Sequence, residues 1–338
     1  MNNLLDVVAI GNAIVDLLCF VDNDFLAVNG LKKGTMQQIT EQESTRLLSL
    51  VTPSFCCAGG SAANSIAGIA SLGGQSAFIG CVNNDDFGQI FIKSICENGI
   101  RFATPPTESG PKTGVCIVFI TPDAERTMAT YLGASIELGV DNISSEIVAN
   151  SRITYLEGYL FDPPTAQEAN IKAAKIAKEA GQIVAMGLCD VICIERHRST
   201  FVDFIKHNVD ILIANNIEAL SFMETQDLDV AIRELSKLAD HVVITTGSEG
   251  SLIVANQETH QIDPLNVENI IDTTGAGDLY AGGFLYGISQ GFDPITAGKI
   301  ATLAASEVIT HSGARPQTVL QHLVDQGSHT KISSRKLS

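Results

Sequence analysis

A chain of 338 residues with 45% hydrophobic and 17% charged residues has the size and composition of one large α/β domain with an addition, or of two ordinary domains. Lys plus Arg number 21 against 38 Asp plus Glu, a net charge of −17. That balance argues against nucleic acid or an anionic membrane as partner, since either needs a basic face, but small phosphorylated ligands can still be held by backbone amides.

In chain order, Val7 to Ile10 reads as a buried strand that ends in the turn Gly11-Asn12. Residues 60–72, rich in Ala, Ser and Ile, predict a tightly packed helix; 77–80 is a short strand and 86–98 a helix closed by Asn98-Gly99. Between 101 and 132 prolines and glycines punctuate strands at 113–120 and 127–132, a small β insertion paired with residues 17–39. After 150 strands at 153–156, 182–186, 210–213 and 242–245 alternate with helices at 165–180, 195–207 and 216–239, the pattern of a mostly parallel sheet covered on both faces. A hairpin at 250–264 follows, then helices at 276–290, 294–310 and 316–325. The expected division is a large α/β domain of residues 1–16, 40–100 and 133–326, a β lid of 17–39 and 101–132, and a disordered polar tail of 327–338.

Cysteines 19, 56, 57, 81, 96, 116, 189 and 193 contain no C-x-x-C pair, and most sit in apolar runs, as reduced structural thiols do. Met1 to Asp6 lacks the basic start and apolar stretch of a secretory leader, and no uncharged apolar run reaches about 18 residues, so the expected location is cytoplasmic, with no membrane partner. The seven histidines form no H-x-x-x-H or H-E-x-x-H pattern, and Arg196-His197-Arg198 reads as a solvated face.

Chemistry concentrates in Asp272-Thr273-Thr274-Gly275-Ala276-Gly277-Asp278, small residues that lead into an apolar helix. Successive N–H groups of Gly275, Ala276 and Gly277 at a helix start form an anion-binding concavity that needs no cationic side chain. A carboxylate there would repel a bound phosphate. Asp278 makes sense as a base for an alcohol that attacks a phosphoryl group, while the amides take up developing charge. The same string also serves as a glycine turn with a helix-start acid. In Ala58-Gly59-Gly60-Ser61-Ala62-Ala63-Asn64-Ser65, the glycines let a ligand approach the backbone and Asn64 can bond hydroxyls, or the segment simply packs closely. Asp16, just after the first strand, is either a solvated loop acid or an acceptor for a substrate diol over the sheet's carboxyl end. Asn215 and Glu218 are spaced as a helix cap, or as a pair holding water on Mg²⁺ that bridges nucleotide phosphates. Gly247-Ser248-Glu249-Gly250 could wrap a nucleotide or be a plain turn. No G-x-x-x-x-G-K-[ST] occurs, and no G-x-G-x-x-G follows the first strand, so a Walker NTPase and a dinucleotide-binding half are both unsupported.

Taken together, the strings Gly59-Gly60-Ser61-Ala62-Ala63-Asn64 and Asp272 to Asp278, in this order, resemble the PfkB (ribokinase-like) family of carbohydrate and nucleoside kinases over about residues 6–316. Gly11 to Asp16, Val21 to Leu26 and Phe78 to Val82 are most similar to its adenosine kinase branch. The resemblance implies a three-layer α/β/α domain with a mostly parallel sheet of nine or so strands and a small β lid. It implies transfer of the ATP γ-phosphoryl group to a primary alcohol with Mg²⁺. It assigns Asp278 as base and Gly275, Ala276 and Gly277 as anion hole. Asp16, Gly60, Ser61 and Asn64 would bind substrate, with Arg126 of the lid meeting the transferred phosphate. Asn215 and Glu218 would serve Mg²⁺ through water; Thr246, Gly247, Gly250 and the stretch after His311 would serve the nucleotide. Asp272 and Thr274 match part of a monovalent cation (K⁺) loop, and Met36, Cys116, Leu132 and Tyr159 are candidates to face a base. The expected substrate is adenosine, converted to AMP in purine salvage, with a ribokinase- or fructokinase-like sugar kinase as the alternative. A sensor that binds without phosphorylating is disfavoured by Asp278. The enzyme would be a monomer or a homodimer paired through its lid.

Overall fold

The computed structural model describes residues 4–123 and 125–337. In the first strand, β1 (Leu5–Ile10), Val7 and Ala9 face one side and Val8 and Ile10 the other, and all four are fully buried. A strand buried on both faces needs helices above and below it, which is how parallel sheets are covered.

The remaining strands, in chain order, are β2 (Ile14–Phe20), β3 (Met36–Gln38), β4 (Phe55–Gly59), β5 (Ser76–Ile79), β6 (Arg101–Phe102), β7 (Thr113–Ile120) and β8 (Arg126–Gly133). Then come β9 (Ser151–Glu157), β10 (Ile183–Gly187), β11 (Ile211–Asn215), β12 (His241–Thr245), β13 (Ser251–Ala255), β14 (Glu258–Ile262) and β15 (Ser334–Lys336). Ten form one sheet in the order β15-β14-β13-β12-β11-β10-β9-β1-β5-β6, parallel from β12 to β6 and antiparallel beyond. Helices Ser61–Ser71, Ala276–Ser289 and Pro294–Val308 cover one face; Pro164–Glu179, Val191–Asn208, Asn216–Phe222 and Leu228–Leu235 cover the other. This is the three-layer α/β/α architecture with a mostly parallel sheet that the sequence led us to expect.

The second sheet has the order β3-β8-β7-β2-β4. Its inner residues Val15, Leu17, Ile117 and Phe119 join the large hydrophobic core, while Ile14, Asp16, Leu18, Cys116 and Val118 lie on the opposite face. The expected lid boundaries need correcting. β2 begins at Ile14 and pairs with β7 from that residue, so Asp16 belongs to the small sheet. β4, expected in the large domain, completes the small sheet antiparallel to β2, with Asp16 opposite Cys57. Arg101 and Phe102, expected in the lid, extend the large sheet beside β5.

Three further expectations change. The tail is not a disordered coil: Ser334 to Lys336 adds an edge strand to β14, and the buried Ile332 anchors it. The helix expected over 216–239 is two helices, broken at Glu224, whose φ of 50° ends the first. The last helix begins only at Leu320, because residues 311–319 run as a loop whose Gln317 and Thr318 amides donate to the Glu307 carboxylate. All eight cysteines are free; four are buried, but Cys56 and Cys96 are exposed.

Candidate active site

A cavity of about 360 Å³ lies between the small sheet and the carboxyl ends of the large sheet's strands. Asn12, Glu157, Gly187, Asn215 and Thr245, each at or just past a strand end, form its floor, where open α/β sheets put ligands. Ile14, Asp16, Met36, Cys116, Met128 and Leu132 of the small sheet form the opposite wall.

Asp278 reaches this cavity from the first turn of helix Ala276–Ser289. Ser61 Oγ donates to its Oδ1 at 2.6 Å and Asn64 Nδ2 to its Oδ2 at 2.9 Å, so the glycine-rich string near residue 60 and the string near 275, over 210 residues apart, converge on one carboxylate. Burial pushes the Asp278 pKa up, and the Ser61 and Asn64 bonds hold it back. Gly275 precedes the helix with φ 80°, and a Cβ there would crowd the backbone of Ala314. The Ala276 N–H donates to Thr273 O at 3.2 Å, whereas the N–H groups of Gly275 and Gly277 make no backbone hydrogen bond among the described residues. Of the three expected anion-hole amides, then, the two glycine amides are free and that of Ala276 is engaged.

Asp16 projects from β2 into the same cavity. Burial raises its pKa to about 7; Arg315 pulls down, Asp278 pushes up further, and Arg126 pulls down. Arg315 was not anticipated from the sequence. Its Nε donates to Asn64 Oδ1 at 3.4 Å and its Nη1 to Ser94 Oγ at 3.2 Å, which fixes the Asn64 amide so that its NH₂ faces Asp278. Glu157 was also missed. From the end of β9 its Oε1 accepts from Asn12 Nδ2 at 2.7 Å and its Oε2 from the Ala62 N–H at 3.0 Å, supplying the cap that Gly60 cannot give helix Ser61–Ser71. With no cation beside it, burial raises Glu157 to about 7 against the Ala62 and Asn12 bonds. A buried acid ending an apolar strand at the ligand end of the sheet is the signal that would have found it; Arg315, in Gly-Ala-Arg-Pro, carries no comparable pattern.

Asn215 and Glu218 form a complete capping box: Asn215 Oδ1 accepts from the Glu218 N–H at 2.8 Å, and Glu218 accepts from the Asn215 N–H at 3.0 Å and from Asn215 Nδ2 at 2.7 Å. Both also line the cavity, and burial raises Glu218 to about 7. The cap and the ligand-facing reading therefore coexist in one pair. Arg126, on β8, ion-pairs with Asp272 across the gap between the sheets, and Asp272 also accepts from the Thr274 N–H at 3.0 Å and the Gly313 N–H at 2.8 Å. In this arrangement Arg126 holds the carboxylate that was expected to border a monovalent cation.

Thr274, Gly60, Cys116, Met36, Leu132 and Tyr159 all border the cavity, but Thr246, Gly247 and Gly250 do not. Gly250, with φ 90°, closes the turn into β13, where a Cβ would overlap Ile262 O, so its glycine has a structural reason independent of any ligand. Arg196, His197 and Arg198 lie on an exposed to partly exposed helix face, in keeping with the expected solvated face, and pair with Asp162 and Glu224.

Comparison with known proteins agrees with this geometry. The family model described as "pfkB family carbohydrate kinase" matches residues 6–320. The solved adenosine kinase of Sinorhizobium meliloti is 42% identical, covering 96% of this chain and 99% of its own, with a TM-score of 0.90. A probable sugar kinase of Rhizobium etli is 38% identical over 97% and 99% of the two chains, with a TM-score of 0.91. The 5-dehydro-2-deoxygluconokinase of Clostridium perfringens is 27% identical over 270 residues, 75% of this chain and 79% of its own. With its two glycine-rich strings converging on Asp278 and a family match spanning nearly the whole sequence, the chain belongs to the PfkB family, kinases that phosphorylate an alcohol group of a sugar or nucleoside.

Proposed function

We propose that the protein is an ATP-dependent nucleoside kinase of the cytoplasm that transfers the γ-phosphoryl group to the 5′-hydroxyl of adenosine, giving AMP. The observation that carries this reading is the cavity itself: a base candidate, Asp278, and a second acid, Asp16, share a space roofed by Ile14, Met36, Cys116, Met128 and Leu132. A free sugar has no use for so apolar a wall, whereas a purine face does. The 42% identity to the Sinorhizobium adenosine kinase supports the same choice.

In this mechanism Asp16 accepts hydrogen bonds from the ribose diol and so orients the 5′-hydroxyl toward Asp278. Asp278, held by Ser61 and Asn64, takes the proton as the hydroxyl oxygen attacks phosphorus. The free amides of Gly275 and Gly277 stabilise charge on the transferring group, and Arg126 leaves Asp272 to meet it. A cavity lined by Asp16, Glu157, Glu218 and Asp278 is too acidic to receive a polyphosphate alone. The oxygen donors of Glu218 and Asn215 suit Mg²⁺ that keeps its waters; these residues would hold the ion through water, and it would offset the charge of the phosphates. The small sheet acts as the lid that excludes water and prevents wasteful hydrolysis.

A second reading, a sugar kinase acting on a keto-sugar or sugar acid, is favoured by the likeness to the Rhizobium and Clostridium proteins. A coupled ADP-release assay across adenosine, inosine, ribose and fructose separates the two. Adenosine should give the highest kcat/KM; turnover of free sugars without turnover of nucleosides would replace this proposal with the second reading.

A further inference from the structure

Helix Val191–Asn208 carries Cys193 and His197 four residues apart, one turn of helix, so both project from the same face. Opposite them stands Asp162, which follows the 3₁₀ turn Gly158–Phe161. His197 Nε2 lies 2.8 Å from Asp162 Oδ1, Cys193 Sγ lies 3.9 Å from the same oxygen, and all three donor atoms fall within 4.8 Å of one another. Asp162 pairs with Arg196 and His197, and the buried Cys193 Sγ also lies 3.5 Å from Gly158 O, so the three donors are held together before any metal arrives.

We propose that Asp162, Cys193 and His197 form a binding site for a thiophilic divalent metal of the zinc class. The donor set is sulfur, imidazole nitrogen and carboxylate oxygen, which suits Zn²⁺ and not the harder Mg²⁺. Three protein ligands leave the fourth tetrahedral position to water. Bonds of about 2.0–2.3 Å require the Nε2–Oδ1 separation to open by roughly half an ångström, within reach of side-chain rotation at half-buried Asp162 and His197. Arg196 Nη2, 2.5 Å from Asp162 Oδ2, occupies the oxygen that would not bind metal, the place where ligating carboxylates usually find a hydrogen-bond donor. Binding forms a metal–sulfur bond in place of the Cys193 S–H bond, and the proton leaves to solvent. Cys193 is buried, while Asp162 also borders the main cavity, which gives the ion a route in.

The test is calorimetric titration of tag-free, chelator-treated protein with Zn²⁺, repeated with Co²⁺ while the thiolate-to-cobalt charge-transfer absorption is followed. Wild type should bind one equivalent and show the thiolate band. Cys193→Ser and His197→Asn, checked for native circular dichroism, should each weaken binding at least tenfold, and Cys193→Ser should abolish the band. No stoichiometric binding by wild type would overturn the proposal, and so would undiminished binding in either variant, which would point to exposed thiols such as Cys56 or Cys96. The readout is metal binding, so the result stands apart from whichever alcohol the kinase phosphorylates.

Discussion

Glu157 offers a measurable consequence of burying an acid with no cation beside it. Its folded pKa is raised from 4.5 to about 7, so the native state holds a proton that the unfolded chain has already released between those values. Stability conferred by that proton is present at low pH and lost as pH rises through 7. A shift of about 2.5 pH units at 1.36 kcal/mol per unit amounts to about 3 kcal/mol in all, and roughly 2 to 3 kcal/mol of it falls between pH 5 and pH 8. Glu157→Gln removes the titration while keeping one acceptor oxygen for Asn12 or Ala62. Urea unfolding of both proteins at pH 5 and pH 8 isolates the effect, because the other titrating groups cancel in the difference. Relative to the variant, wild type should lose about 2 to 3 kcal/mol between the two pH values. A difference that stays constant with pH would refute the reasoning, whatever its absolute size.

Other consequences concern the cavity. Asp16→Asn weakens the acceptor for the substrate diol, so KM should rise about 10- to 100-fold with a smaller effect on kcat in steady-state assays. Because burial holds Asp16 near 7, kcat/KM in the wild type should fall as pH drops below 7. Arg315→Met takes a positive charge from beside Asp16 and the donor from Asn64, so this acidic limb should move to higher pH, with partial rescue by Arg315→Lys; an unmoved limb would rule out the positioning role.

Much of this was readable from the residues. Regular alternation of apolar runs with helical patterns after residue 150 gave the parallel sheet, because strands buried on both faces leave a continuous apolar signal. Asp278 stood out because a carboxylate is chemically odd inside a glycine-rich helix start. The lid boundaries were less legible. β4 spells Phe-Cys-Cys-Ala-Gly, with no alternation, and its place beside β2 depends on long-range pairing. Glu157 and Arg315 act through contacts 95 and 251 residues away in sequence, at Ala62 and Asn64, and no local pattern encodes such distances. The tail strand is three polar residues whose assignment rests on the open edge of β14 and on Ile332.

The account turns on proton removal by a single side chain. Asp278→Asn should retain the fold, judged by an unchanged melting temperature to within a few degrees, and lower kcat for ADP release in the presence of acceptor more than 10²-fold, about the span general base catalysis supplies. A variant that turns over its acceptor at close to the wild-type rate would contradict it.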